Sequence, residues 1–68
     1  MNIPNTYIPA SPRTVRRALG LSLVRVAGLA DVGVTTVRVF ELDPRAVSDE
    51  SRRKLTAFYA RLRAQITD

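Results

Sequence analysis

The chain contains no cysteine and no histidine, so disulfides and the commonest metal ligands are excluded as sources of stability. The same absences remove the thiol nucleophile and the imidazole base. The six acids that remain, Asp31, Glu41, Asp43, Asp49, Glu50 and Asp68, form no evident general acid/base pair. Neither catalysis nor a metal centre is expected, and no cofactor or small-molecule ligand is implied. No apolar run approaches the roughly 18 residues of a membrane span, and Met1 to Ala10 lacks the basic start and apolar core of a signal peptide. The expectation is a cytoplasmic protein without a membrane partner.

What the chain does have is apolar content and arginine. Its 68 residues are 46% hydrophobic, enough to fold, yet a chain this short buries only about 60% of the surface that its unfolded form exposes. With disulfides and metal excluded, oligomerisation is the remaining source of added stability. The net charge is +5, and arginine supplies all but one of the 11 basic residues. Arginine's planar, permanently charged fork favours a phosphate-rich partner.

Residues 1–10 contain Pro4 and Pro9 and no charge, which predicts an extended arm with Ile3, Tyr7 and Ile8 as its apolar anchors. Residues 11–68 read as one helical domain. Ser11 is an N-cap with Pro12 at the first helical position, and Val15, Ala18 and Leu19 recur at helical spacing until Gly20. Ser22 caps a second, two-turn helix with Leu23, Val26, Ala27 and Ala30 on its apolar stripe, ending at Asp31. The run from Gly33 to Glu41 is ambiguous, because Val34, Thr35, Thr36 and Val37 are β-branched and favour a strand. Spacing arbitrates: Val32, Val37 and Phe40 follow a helical rather than an alternating pattern, which predicts a third helix. Asp43-Pro44 breaks it. Ser48 then caps a fourth helix running to about Ile66, with Asp49 and Glu50 in its first turn and Leu55, Phe58, Tyr59, Leu62 and Ile66 on one stripe.

Residues 23–42 fit a helix-turn-helix unit, two short helices joined by a tight turn with the second able to enter a DNA major groove. Ala27 is the small residue where the helices cross, Val26, Ala30, Val32, Val37 and Phe40 are the apolar contacts, and Asp31 is the turn residue tolerant of positive φ. Arg16-Arg17-Ala18-Leu19-Gly20-Leu21-Ser22, Val26-Ala27, Leu29-Ala30-Asp31-Val32-Gly33, Thr36-Val37 and Phe40-Glu41 form a linked set of signals. As a set they resemble the helix-turn-helix proteins of the phage lambda Cro and repressor type, also called the xenobiotic-response-element family. The matching family signals are Leu-Gly-Leu-Ser, Leu-Ala-x-Leu-Ala-Gly-Val-Ser and Thr-Ile-x-x-Ile-Glu, and the resemblance covers roughly residues 14–62.

The resemblance implies an all-α, lambda-repressor-like bundle of four helices and a DNA-binding transcriptional regulator, such as a repressor, that dimerises on a palindromic operator. By position it implies that Gly33, Val34, Thr35 and Thr36 open the recognition helix. Val34, Thr35, Arg38 and Val39 would then face base edges, with Thr36 and Gly33 on the DNA backbone. Arg38 suits guanine O6 and N7 or a phosphate, and Val34 and the Thr35 methyl suit thymine methyl groups. Ser22 and Leu23 sit where the family opens its second helix over the DNA backbone, although Leu23 replaces a common glutamine and, with Val24, leaves an apolar patch. Arg16 and Glu41 occupy positions that pair as a partly buried salt bridge in some members. Arg13, Arg17, Arg25 and Arg45 are the candidates for phosphate contacts or, failing that, solvated surface.

On the last helix, Leu55 and Phe58 are expected in the core, leaving Tyr59, Leu62 and Ile66 as the dimer interface, with the Tyr59 hydroxyl reaching solvent. The arm, having no Lys or Arg, suits a contact with the other subunit better than a DNA groove. A second function class stays open: a protein-binding module on the same fold, such as an antirepressor or antitoxin subunit, using the apolar Leu23, Val24, Val34 and Val39.

Overall fold

The computed structural model describes residues 11–67, and these hold four α-helices, one 3₁₀ turn and no strand. The helices are α1 (Pro12–Ala18), α2 (Leu23–Ala30), α3 (Val34–Leu42) and α4 (Asp49–Thr67), with the 3₁₀ turn at Pro44–Ala46. The arm expected over residues 1–10 lies outside the described residues. The β-branched run of α3 is helical because the inward positions Val37 and Phe40 recur at i, i+3, and burying each against the other helices is worth about 1.5–3 kcal/mol. That exceeds the small helix-propensity penalty of β-branched residues.

Short side chains set the helix starts. The Ser11 hydroxyl accepts the Thr14 N–H at 3.2 Å, that of Ser22 accepts the Arg25 N–H at 3.0 Å, and that of Ser48 accepts the Ser51 N–H at 3.1 Å. Positive φ sets two of the ends. At Gly20, φ is +71°, which lets the Leu21 N–H reach the Arg16 carbonyl at 3.1 Å and the Gly20 N–H reach that of Arg17 at 3.0 Å. At Asp31, φ is 61°, and the Val32 N–H bonds back to the Ala27 carbonyl at 3.0 Å. Lys54 of α4 donates to the Asp31 carbonyl at 3.1 Å, so a cation stands at the negative end of α2.

The core is a single cluster drawn from all four helices: Val15 of α1, Val26 and Ala27 of α2, Val37 and Phe40 of α3, and Leu55, Phe58, Tyr59 and Leu62 of α4. The Phe40 and Tyr59 rings stack at 5.7 Å, and Phe58 meets Tyr59 edge-on at 5.9 Å. This corrects the expectation for α4. Tyr59 and Leu62 are core residues of the protomer, 3% and 7% exposed, and the Tyr59 hydroxyl turns inward rather than to solvent. Of the three residues assigned to a dimer interface, Ile66 alone faces outward, at 43% exposure. No helix among the described residues is long and apolar enough to cross a membrane.

Candidate nucleic-acid interface

The inner edge of α3 is fastened by an ion pair. Arg16 of α1 donates from Nε to Glu41 Oε2 at 2.6 Å and from Nη2 to Oε1 at 3.1 Å, and its Nη1 reaches the Leu21 carbonyl at 3.0 Å. The Tyr59 hydroxyl donates to Glu41 Oε2 at 2.5 Å. One carboxylate therefore ties α1, α3 and α4 together, and one guanidinium also closes the α1–α2 turn. Burial works to raise the Glu41 carboxyl, but the hydrogen bonds from Arg16 and Tyr59 overcome it and hold the group below the usual carboxylate value. Burial first, then the bond to the Glu41 anion, pushes the Tyr59 phenol well above its usual value of 10.0. The hydrogen bond between Arg16 and Glu41 raises the Arg16 guanidinium above its ordinary value, against the opposing effect of burial.

With Val37, Phe40 and Glu41 held inward, helical geometry turns Val34, Arg38 and Leu42, spaced i, i+4, i+8, along the outward stripe of α3, with Thr35 beside it. All four are exposed. Val39 and Thr36 are half-buried and lie on the flank of α3 toward Val47, Ser48 and Ser51. The turn residues Asp31 to Gly33 set the start of α3. Gly33 caps it without a side-chain hydrogen bond, so the first N–H groups of α3 carry no side-chain acceptor from their cap.

Arg13, Leu23, Arg38 and Leu42 meet around a cleft of about 350 Å³ whose floor is the Arg16–Glu41 pair. Arg17 and Arg25 are exposed on α1 and α2 and do not line that cleft. Ser22 is committed to capping α2. Arg45 stands beside Asp43, its Nε 3.7 Å from Oδ1, with both side chains largely exposed.

The charge is unevenly distributed along the sequence, a signal that lies outside the helix-turn-helix motif. No acid precedes Asp31, while Arg13, Arg16, Arg17 and Arg25 do, so four of the five net charges lie in the first 30 residues. In the structure Asp31, Glu41, Asp43, Asp49 and Glu50 each stand beside a cation. Arg13, Arg17, Arg25 and Arg38 form no ion pair among the described residues. Arg53 and Arg61 of α4 form none either, so unpaired positive charge lies on α4 as well as on α1, α2 and the outward stripe of α3, while the Asp49 and Glu50 carboxylates sit with Arg52 and Lys54 at the start of α4. No protein-family model, curated protein or solved structure matches the chain.

Proposed function

We propose that the protein is a sequence-specific DNA-binding transcriptional regulator of phage or bacterial type, in which α2 and α3 form a helix-turn-helix and α3 is the recognition helix. The observation that carries this reading is the outward stripe of α3, where Arg38 is exposed, has no acidic partner among the described residues, and shares a cleft with Arg13. A helix is about 10–12 Å across with its side chains, and the major groove of B-DNA is about 12 Å wide. Seated there, Arg38 holds a guanine by O6 and N7, and Val34 and the Thr35 methyl meet thymine methyl groups. Arg13, Arg17 and Arg25 contact phosphates on either side, and the N-termini of α2 at Ser22 and α3 at Gly33 add N–H donors. Arg45 exchanges its exposed partner Asp43 for a phosphate at little cost, since surface ion pairs are worth about 0–1 kcal/mol.

One head covers only a few base pairs, so the regulator acts as a homodimer with its two recognition helices about 34 Å apart on a palindromic operator. It works in the cytoplasm and needs no cofactor. The test is a salt series of binding by the purified chain to its own upstream promoter DNA and to a scrambled duplex. The expected result is a preference of at least about 10³-fold for the promoter, with affinity that falls steeply as salt rises.

A second reading has its own support. Val24 and Leu29 on α2 are 70% and 53% exposed, and Leu42 is 78% exposed, which suits a protein-binding module. Arg38→Ala separates the two: a DNA reader loses affinity for the promoter and selection at the base pair that Arg38 holds, and a protein binder that uses the apolar surface keeps its affinity.

A further inference from the structure

We infer that pyrimidine 5-methyl groups supply the sequence discrimination of α3 at every base pair other than the guanine held by Arg38, so that the ligand class is duplex DNA selected by thymine or 5-methylcytosine. This rests on the reading of α3 as a recognition helix and follows by elimination. From Leu21 to Leu42 the chain holds no asparagine, glutamine or lysine. Adenine is ordinarily held by the paired donor and acceptor of Asn or Gln, and the cytosine amino group by a carboxylate. Of the two carboxylates in this stretch, Glu41 is taken up at the inner edge by Arg16 and Tyr59, and Asp31 lies in the turn before α3, beside Lys54 of α4 and not on the stripe. The exposed Thr35 hydroxyl both donates and accepts, which suits either kind of base edge and separates them poorly.

What remains on the stripe beside Arg38 is apolar. Val34 and Leu42 stand four residues before and after it, 42% and 78% exposed, and Thr35 adds a methyl. These groups fit the one apolar feature of the major groove, the methyl on C5 of a pyrimidine. Covering one such methyl is worth about fourfold in affinity.

The full chain is equilibrated with a pool of randomised duplexes, and the enriched duplex is remade with uracil for thymine at constant salt. Affinity should fall about fourfold for each methyl contacted. Replacing a contacted thymine–adenine pair by 5-methylcytosine–guanine should retain more affinity than replacing it by cytosine–guanine. Val34→Ser should bind the enriched duplex more weakly and show a smaller difference between thymine and uracil, with an unchanged melting temperature. Equal affinity for the thymine and uracil duplexes overturns the inference and leaves DNA binding intact. No enrichment from the pool overturns both.

Discussion

The two faces of α3 are held by opposite means. On the inward face Val37 is fully buried, Phe40 stacks on Tyr59, and the Glu41 carboxylate accepts two hydrogen bonds from Arg16 and one from Tyr59. On the outward face Val34, Thr35, Arg38 and Leu42 stand in solvent, and Arg38 has no ion-pair partner among the described residues. The difference places stability on one face and, under the proposed function, recognition on the other. Substitutions inward should lower the melting temperature, and substitutions outward should change binding without doing so.

The largest break in this division is Glu41→Ala. The Arg16 side chain is only 11% exposed, and removing its partner leaves a largely buried cation uncompensated and the Tyr59 hydroxyl without its acceptor, a loss of about 3–5 kcal/mol. For so small a domain that is a large share of the whole, so circular dichroism should show it unfolding near room temperature. Replacing both partners, Arg16→Met with Glu41→Leu, should recover most of the loss, because no charge is then left buried. The acid limb follows the same pair. The unfolded chain protonates Glu41 near 4.5, while the folded chain keeps it ionised to lower pH. Its contribution is therefore complete above about pH 5 and is lost as pH falls below that range. In the Arg16→Met, Glu41→Leu variant this part of the pH dependence should vanish.

Tyr59→Phe is the next largest. It keeps the ring stacked on Phe40 and removes one hydrogen bond to a charged acceptor, a cost of about 2 kcal/mol in chemical denaturation. It also sharpens the comparison by its pH dependence. The unfolded phenol loses its proton near 10.0, while the folded one holds it to higher pH. Stability contributed by Tyr59 is present below pH 10 and declines as pH rises beyond it. The variant should lack that alkaline decline.

Much of the fold is legible in the sequence because its boundaries are local. Ser11, Ser22 and Ser48 cap helices within three residues of themselves, and Gly20 and Asp31 end them by their own φ. The direction of the α4 stripe is not local. Tyr59 and Leu62 recur at the same spacing whether they face a core or a partner subunit, and only the position of α3 decides that Tyr59 stacks on Phe40. The reach of Lys54 to Asp31 across 23 residues has no spacing rule behind it either. At the candidate site, Val34, Thr35 and Arg38 share the outward side of α3 by helical periodicity alone. Whether Val39 shares it depends on where the 3₁₀ turn returns, and there Val39 is drawn to the flank beside Val47. Leu42 passes unnoticed because an apolar residue at the end of an amphipathic helix looks like core until its 78% exposure is known.

At the outward end the effects shrink. Gly33 caps α3 with φ −72° and ψ 152°, a conformation open to any residue, and a Cβ there meets nothing nearer than the Thr36 hydroxyl at 3.7 Å. Gly33→Ser supplies the missing acceptor and should raise stability by a few tenths of a kcal/mol, seen as a small rise in melting temperature.

Smallest of all on stability is Arg38→Ala, and it is the sharpest test of the division. Arg38 is exposed and forms no ion pair among the described residues, and alanine is a better helix former than arginine by only a small margin. The melting temperature should stay within about the effect of an ordinary surface substitution, ±0.5 kcal/mol. Binding should behave otherwise. Loss of the bidentate hold on guanine lowers affinity for the promoter by about 1–3 kcal/mol and relaxes selection at that base pair, whereas Arg17→Ala or Arg25→Ala weakens promoter and scrambled duplex alike and flattens the salt dependence by about one counterion each. If Arg38→Ala instead weakened both duplexes equally, Arg38 would be a phosphate contact, and the reading of base sequence would fall to the apolar residues of the stripe alone.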